Sequence, residues 1–347
     1  MIPKSSDLNR GAPSRWSILA VAMFFALVIG PQTIIAGEGG TAHVLPGANA
    51  TLVDLLPTKP GKFIKPFYLH YHGTVSALIP TAVGLAGNVD ATVNTVVVGG
   101  GYTFEQTVLG GAHYTVAAFL PYSWLDITAD VQTPTVTLRQ QSNRPKIMRR
   151  KRDVSVTVRR HSKVSDFGDL TVVPVMLAWK CGDWQADALV PIYAPTGSYK
   201  KGRLGNPGLN YWTFDPMVGL VYSNQKSGFN ALLHVGCAIN TENPATNYSS
   251  GALLHLDGAI QQIIPVGSGF FSLGAEGFFF EQVTGDSGTG ANLGDFEGRT
   301  SGLGPLLSYI QPLGKQTLVF ELKWLTELDT KKRLEGDYSY IKMVYKF

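Results

Sequence analysis

The residue types that could do chemistry in this chain fall into three small groups. His70 and His72 alternate along one predicted strand, so their rings would share a face and could begin a metal site. His255 and Asp257 have the same spacing and could form an acid–base dyad. The run Gly285–Gly288 reads Gly-Asp-Ser-Gly, which matches the nucleophile string of serine proteases. Each group is incomplete. The sequence places no third metal ligand beside His70 and His72, and no serine beside His255 and Asp257.

The remaining chemical signals are weaker still. The Gly-Asp-Ser-Gly string consists of common turn residues in a glycine-rich link, where a four-residue match is expected by chance. The sequence contains no phosphate-binding loop and no nucleotide fingerprint. We therefore predict a protein that is not an enzyme, with no catalytic residue, no metal and no cofactor.

The charge of the chain is concentrated in one segment. The 347 residues carry a net charge of +4, but ten Lys and Arg lie between Arg139 and Lys163 against a single acid, Asp153. The rest of the chain has a net charge of −5. A mildly acidic body with one basic segment gives no reason to expect a nucleic-acid partner.

The first 36 residues contain, in order, the basic region, the apolar run and the helix breaker of an export signal. Three basic residues precede Trp16–Gly30, a run of fifteen uncharged residues that Pro31 ends. This run is shorter than the roughly 20 apolar residues that a membrane-spanning helix needs. We therefore predict a secretory signal peptide over residues 1–36, with a retained anchor helix as the alternative.

The chain from residue 63 to residue 347 is β-like almost throughout, with Val, Thr, Tyr and Phe in runs that Gly, Asn, Asp and Pro separate. It predicts fourteen strands, near residues 63–73, 93–106, 112–122, 125–138, 153–161, 169–180, 183–194, 213–223, 228–240, 251–264, 269–282, 301–312, 316–328 and 337–347. If the fourth and fifth belong to one decorated loop, the number falls to twelve.

Alternation within these strands predicts a membrane protein. Leu322 and Trp324 share one face of their strand while Glu321 and Lys323 share the other, and short links alternate with long ones along the chain. Short turns on one side and long loops on the other are typical of a transmembrane barrel, which must close because lipid offers no partner to a free sheet edge. We predict an all-β transmembrane antiparallel β-barrel of 12 to 14 strands in the lipid of the bacterial outer membrane, with its oligomeric state open.

The sides of the membrane follow from counting strands backwards from Phe347. The links 195–212, 241–250, 283–300 and 329–336 are then external, and the basic segment 139–152 is periplasmic.

Residues 37–62 form a leader or a plug in front of the barrel. Asn49 or Thr51 could cap a short helix that runs through Leu56, bounded by prolines. Its apolar side chains would be exposed to water in the periplasm, so one hypothesis is that the segment enters the barrel as a plug. A disordered leader is the alternative.

The polar face of each strand is expected to line the lumen. It includes Tyr68, His70, His72, His113, Thr115, Asp126, Asp130, Asp183, Asp187, Asp215, His234, His255, Asp257, Glu276, Glu321, Lys323, Glu327, Tyr338, Tyr340 and Lys342. Phe270, Phe278 and Phe280 would add an aromatic patch to this lining. The candidate ligand-binding residues are Tyr68, His70, His255, Asp257, Phe270, Phe278, Phe280, Tyr338 and Tyr340.

A series of short motifs follows one another in a set order along the chain. They are Asp166–Asp169, Asn210–Pro216, Ile239–Pro244, Tyr248–Gly251, His255–Asp257, Asp286–Gly288, Gly302–Pro305 and Glu335–Asp337. Over roughly residues 43–347 this series resembles the SphA-type family of phenol-degradation meta-pathway outer-membrane proteins. The first motif reads Asp-Phe-Gly-Asp where the family has Gly-Leu-Gly-Asp, and the basic insertion before it is unusual. The resemblance implies an outer-membrane channel linked to small hydrophobic or aromatic compounds.

Three functions are consistent with these observations. The first is an outer-membrane channel or facilitator for passive uptake of a small hydrophobic or aromatic solute. The second is a barrel enzyme that acts on lipids or esters, in which Ser287, His255 or Asp257 would be essential. The third is a structural or adhesive barrel whose external loops bind a partner.

Overall fold

The computed structural model describes residues 42–77, 79–81, 84–132, 136–139, 151–154, 156–291 and 297–347. The predicted signal peptide lies outside the described residues. Within them, no helix is long and apolar enough to cross a membrane. All regular structure in these ranges is β-sheet.

Twelve strands form a closed antiparallel barrel in the described part of the chain. They are β1 (Gly61–Ile64 and Phe67–Val75), β2 (Gly84–Val108), β3 (Ala112–Gln132), β4 (Thr157–Phe167 and Leu170–Cys181), β5 (Trp184–Leu189 and Ile192–Ala194), β6 (Thr213–Phe214 and Met217–Ser223), β7 (Phe229–Asn240), β8 (Leu253–Val266), β9 (Gly269–Gln282), β10 (Arg299–Leu313), β11 (Gln316–Lys331) and β12 (Glu335–Lys346). Each strand pairs with its neighbours in sequence, and β12 pairs with β1 to close the sheet.

The lower of the two predicted strand numbers is therefore correct. The segments 112–122 and 125–138 were predicted as separate strands, but the chain continues from one into the other as β3. In the same way 153–161 and 169–180 contribute to the single strand β4, which is interrupted only at Gly168 and Asp169. Both halves of β4 pair with β3, so the interruption does not start a new strand.

Prolines account for the other interruptions. Pro66 separates the two parts of β1, Pro191 those of β5 and Pro216 those of β6. Proline has no backbone N–H to donate to the sheet, so the ladder breaks at these positions. The sheet still continues past each one, because Pro66 and Pro216 accept hydrogen bonds through their carbonyl oxygens from Met343 and Cys237.

The two ends of the barrel differ. At the turn end, where β1 begins and β12 ends, the connections are short, such as Gly267–Ser268 and Gly314–Lys315. At the loop end the connections are longer, and they include residues 195–212. β3 ends and β4 begins at the loop end, where Gln132 pairs with Thr157. The segment 139–152 was predicted to be periplasmic, but its residues 140–150 lie outside the described residues.

The predicted alternation is confirmed on the strands in the second half of the chain. On β11, Leu322 and Trp324 are half exposed on the outer face, while Glu321 and Lys323 are buried inside. On β8, Ile260 is exposed outside and His255 is fully buried inside. This arrangement is typical of a barrel whose outer surface meets hydrocarbon.

On β1 and β2 the alternation has the opposite sense at the loop end. Leu69 and Tyr71 are buried inside, whereas Tyr68 and His70 point outwards and both contact Asn94 Oδ1, at 2.6 Å and 2.8 Å. His72 is also outside, 3.4 Å from a carboxylate oxygen of Asp90. The prediction that Tyr68, His70 and His72 line the lumen is therefore wrong.

The same reversal occurs on β3 and β4. Asp126 and Asp130 were predicted to face the lumen, but they point outwards and pair with Lys163 and Arg159 on the outer face of β4. Their neighbours Leu125 and Ile127 face inwards instead.

The reversal begins at a row of tryptophans. The row that contains His70 passes through Asn94 to Trp124 on one side and through Ser339 to Trp324 on the other. Tryptophan is enriched where hydrocarbon meets the polar headgroups. β2 and β3 have 25 and 21 residues, about twice the length needed to span a membrane. Their loop-end halves therefore stand in water, where the polar face turns outwards.

Buried histidines lie over glycines on the adjacent strand. A Cβ atom at Gly236 on β7 would be 2.3 Å from Nε2 of His255 on β8 and 2.8 Å from Cγ of Met217 on β6. His255 cannot move aside easily, because it is fully buried and Nε2 is 2.8 Å from Asp215 Oδ1. The glycine is thus needed for close packing of the inner wall.

We expect Gly236→Ala to lower the free energy of unfolding by about 1–3 kcal/mol, the usual cost of overpacking. Urea unfolding in detergent micelles, followed by tryptophan fluorescence, measures the change. Gly258→Ala is the matched control, because its Cβ would be 3.5 Å from the nearest atoms, which is an ordinary contact. Equal stability of the two variants would contradict the packing argument.

Candidate functional site

Residues 42–56, which we call the inner segment, lie against the inward-facing side chains of the barrel. Val44, Ala50, Val53 and Leu56 are buried, and Val44 packs with aromatic residues of β9 and β12. The short helix predicted after Asn49 or Thr51 is not formed, and the chain passes through a series of turns instead.

Polar side chains of the barrel bind the backbone of the inner segment directly. Gly47 donates its N–H to Asp257 Oδ1 at 2.7 Å, and its carbonyl oxygen accepts a hydrogen bond from Lys323 Nζ. Tyr340 Oη donates to the carbonyl of Pro46 at 2.5 Å. Gly47 has a φ of +71°, which glycine adopts without strain, and a Cβ there would lie 2.3 Å from Leu325 Cδ1.

Asp54 is the ionic anchor of the inner segment. Its carboxylate accepts hydrogen bonds from Lys65 Nζ at 2.5 Å and from Lys342 Nζ at 2.9 Å and 3.0 Å. Burial alone would raise the pKa of Asp54, but the positive charges of Lys342 and Lys65 lower this pKa to well below its usual value. The carboxylate is therefore ionised wherever the protein is folded near neutral pH.

The other end of the inner segment is held by His43. Its Nε2 lies 2.8 Å from Asp169 Oδ2, and its Nδ1 lies 2.7 Å from Thr213 Oγ1. The ring stacks on Tyr193 with centroids 4.9 Å apart and contacts the edge of Tyr211. Both ends of the inner segment are thus tied to the barrel by buried polar contacts.

A cavity of about 460 Å³ lies between the inner segment and β1–β5. Its walls are mostly apolar and include Leu69, Val93, Phe119, Leu125 and Val173. Leu204 and Leu209 of the link 195–212 cover it towards the loop end, and Val44 and Leu56 border it from the inner segment. Its volume is in the range of sites for small molecules.

Polar groups also border this cavity, although the apolar area is larger. His234 of β7 is one of them, and it is almost fully buried. Neither Nδ1 nor Nε2 of His234 has a hydrogen-bond partner among the described residues, and the nearest carboxylate oxygen is Asp187 Oδ2 at 3.5 Å from Nε2. Arg203 and Arg333 border the cavity as well.

The structure brings together part of the predicted ligand-binding set. Phe278, Phe280, Tyr338, Tyr340, His255 and Asp257 are all buried inside the barrel. Phe278 contacts both Phe280 and Tyr338 edge-on, and the ring of His255 lies 5.3 Å from that of Phe280. Within this group only Tyr338 borders the cavity, because the others are close to the inner segment or behind it.

The other predicted residues lie elsewhere. Tyr68 and His70 are on the outer face, as described above. Phe270 is at the turn end, next to the turn between β8 and β9, and is 37% exposed. It therefore does not join Phe278 and Phe280 in one patch.

Sequence reasoning missed most of the cavity wall. The prediction that His70 and Asp126 face the lumen implied that their apolar neighbours Leu69 and Leu125 face the lipid, whereas both border the cavity. Two signals could have revealed them: the length of the β-like run and the charged stripe on the opposite face, which contains Asp90, Asp126 and their neighbours.

The residues that suggested an enzyme have other contacts. His255 bonds to Asp215, and its Nδ1 has no hydrogen-bond partner, so neither ring nitrogen contacts a serine in the described structure. Ser287 forms a backbone bridge with Ser249, and Asp286 accepts a hydrogen bond from Tyr248 Oη. The described residues hold no cluster of three or more His, Cys, Asp or Glu suited to a metal ion.

We expect Asp54→Asn to release the inner segment, because it leaves Lys65 and Lys342 without their carboxylate. Breaking a buried ion pair costs about 3–5 kcal/mol. Hydrogen–deuterium exchange should show fast exchange through residues 50–56 and unchanged protection of β8–β12. The control Glu242→Gln removes the same charge from an exposed position in a link.

The pH dependence of this anchor has a defined sign. The pKa of Asp54 is lower in the folded protein than its usual 3.8. Its contribution to stability is therefore complete above pH values near 3.8 and is lost only as the pH falls further. Loss of protection at 50–56 already between about pH 7 and pH 5 would contradict this assignment.

Comparison with solved structures supports the fold. The chain is similar to an outer membrane channel from Pseudomonas putida F1, with 16% identity and a TM-score of 0.56, over 88% of this chain and 100% of that one. It is also similar to the β-domain of the Bordetella autotransporter BrkA, with 10% identity and a TM-score of 0.44, over 83% of this chain and 100% of that one. A Pseudomonas aeruginosa FadL homologue gives 10% identity and a TM-score of 0.35, over 91% and 97%.

A search of curated proteins found no match. Residues 73–343 match the family model "Putative MetA-pathway of phenol degradation", which covers most of the chain. The closed barrel of this chain is a fold that it shares with an outer membrane channel. The chain belongs to the family of that MetA-pathway model, as the order of its motifs had predicted.

Proposed function

We propose that this protein is a passive uptake channel for small hydrophobic or aromatic solutes, which enter through the cavity between the inner segment and β1–β5. The observation that carries the proposal is an apolar cavity of about 460 Å³ inside a barrel that spans the outer membrane. Burial of apolar surface supplies the binding energy, and no energy source is required. The family match to a phenol-degradation pathway is consistent with an aromatic solute.

Passage requires the solute to leave the cavity past the inner segment. That segment is held by hydrogen bonds and ion pairs rather than by a continuous strand or helix, so local release costs less than unfolding of the barrel. In this proposal residues 42–56 are the plug of the channel, and β1 marks the start of the barrel.

A non-enzymatic role is part of the same proposal. The contacts of His255 and Ser287 offer no nucleophile with an adjacent base in the described residues. No observation favours the ester hydrolase over the channel.

We expect Val93→Trp to reduce uptake, because the new side chain would fill the cavity. Displacing a solute from an overpacked site costs about 1–3 kcal/mol, so uptake should fall by roughly 5- to 100-fold. Uptake of labelled toluene by a deletion strain that expresses each variant measures the effect. Val98→Trp on the same strand is the control, because Val98 points towards lipid. Equal uptake by both variants would contradict the proposed route.

We expect His234 to favour solutes that carry a hydroxyl group, since its Nδ1 has no hydrogen-bond partner among the described residues and its Nε2 has only the 3.5 Å contact with Asp187. His234→Leu should lower the uptake of phenol relative to toluene by about 5-fold or more, because the hydroxyl would then be buried without a hydrogen bond. His234→Gln keeps a donor and an acceptor and should retain part of the preference. An unchanged ratio in His234→Leu would exclude a direct contact with the solute.

A further inference from the structure

A second, basic pocket lies at the loop end, outside the apolar cavity. It has a volume of about 280 Å³ and is lined by Arg160, His161, Ser162, Lys200, Lys201, Gly202, Arg203 and Leu204. The first three belong to β4 and the rest to the link 195–212. We call this site the basic pocket.

The pocket is built on an open edge of the sheet. The loop-end half of β4, Thr157–Phe167, pairs with β3 and with no other strand in the described structure. The link 195–212 runs beside it, where Ser198 donates to the carbonyl of Phe167 and Arg160 Nη2 donates to the carbonyl of Gly202 at 3.2 Å. The pocket therefore opens at the side of the barrel wall.

Three of its cations have no counter-charge. Within the described residues, no carboxylate lies within 4.0 Å of the charged groups of Arg160, Lys200 or Lys201. Arg160 and Lys201 donate only to neutral carbonyl oxygens, those of Gly202 and Ala245. By contrast, Lys163 and His161 on the outer face of the same strand both contact Asp126, at 2.9 Å and 2.7 Å.

The height of the pocket above the membrane can be estimated from the aromatic residues below it. Tyr122, Trp124 and Phe167 form a cluster on the outer face of β3 and β4, with ring centroids 4.8 Å and 5.0 Å apart. Such clusters mark the headgroup level. His161 lies six residues from Phe167 along β4, on the side of the loop end. This separation is about 20 Å along the strand, or about 15 Å in height above the aromatic cluster after allowing for strand tilt.

The external leaflet of the outer membrane carries phosphorylated saccharide at this height. Phosphate oxygens bind well to guanidinium and ammonium groups, and a desolvated pair is stronger than an exposed one. The geometry points to a binding site in the basic pocket for the phosphate groups of lipopolysaccharide, held by Arg160, Lys200 and Lys201. Such a contact covers the open edge of β4 and keeps the projecting wall upright in the saccharide layer.

The test uses the full-length mature protein in detergent, titrated with purified lipopolysaccharide, with dephosphorylated lipopolysaccharide and with inorganic pyrophosphate. Replacement of Arg160, Lys200 and Lys201 by Gln should weaken the binding of intact lipopolysaccharide by roughly 100-fold at low salt, since each cation near an anionic surface contributes about fivefold. The control replaces Lys62, Lys226 and Lys315 at the turn end by Gln, which removes the same charge. The heat-dependent gel mobility of each variant verifies that its barrel is folded.

Loss of binding in the pocket variant alone, together with weak binding of the dephosphorylated form, would support the site. Equal binding by the pocket variant and the wild type would overturn it, and so would equal binding of the two lipopolysaccharide forms. If pyrophosphate bound as tightly as lipopolysaccharide, the ligand of the basic pocket would be a soluble anion. The proposal that lipopolysaccharide is the partner would then be wrong. Arg160→Lys keeps the charge and should retain most of the affinity, which separates a loss of charge from local unfolding.

Discussion

The structure depends on one constraint: hydrocarbon offers no hydrogen-bond partner to a backbone N–H or C=O. Each unpaired group costs several kcal/mol in lipid, so the sheet has to pair its last strand with its first. The register of β12 against β1, from Phe63 with Lys346 to His70 with Ser339, meets this requirement along the spanning part. Where the wall rises beyond the lipid, the requirement ends, and the loop-end half of β4 can keep an edge that no strand of the described residues pairs with.

The same constraint operates inside the barrel. Asp257, Lys323 and Tyr340 are buried with no access to bulk water, and each would be costly without a partner. The inner segment supplies partners through the backbone groups of Pro46 and Gly47. A helix would use those groups for its own hydrogen bonds and leave the barrel side chains unpaired. The irregular path of the inner segment is therefore the more stable solution.

The sequence predicts which residues share a strand face, but not the surroundings of that face. Alternation shows which residues share a face, so the partition of Leu322 and Glu321 was predicted correctly. It does not show which face meets water, and that depends on the height of each residue above the membrane. His70 and Asp126 were assigned to the wrong face because their rows lie at or beyond the level of Trp124. The cavity could not be predicted either, since it joins residues as distant as Val44, Val93 and Leu204.

The reversal of the wall at the tryptophan row also explains why the apolar cavity can extend above the membrane. An apolar solute that approaches the cell meets a charged saccharide layer, in which it has no favourable contacts. A projecting wall with charged residues outside and Leu69, Val93 and Leu125 inside gives it an apolar surface within that layer. In the proposed function, the charges of the outer face and the apolar cavity are two sides of the same strands. Substitutions that make the outer face of these strands apolar would favour insertion of their loop-end halves into the lipid. The approach to the cavity would then be closed.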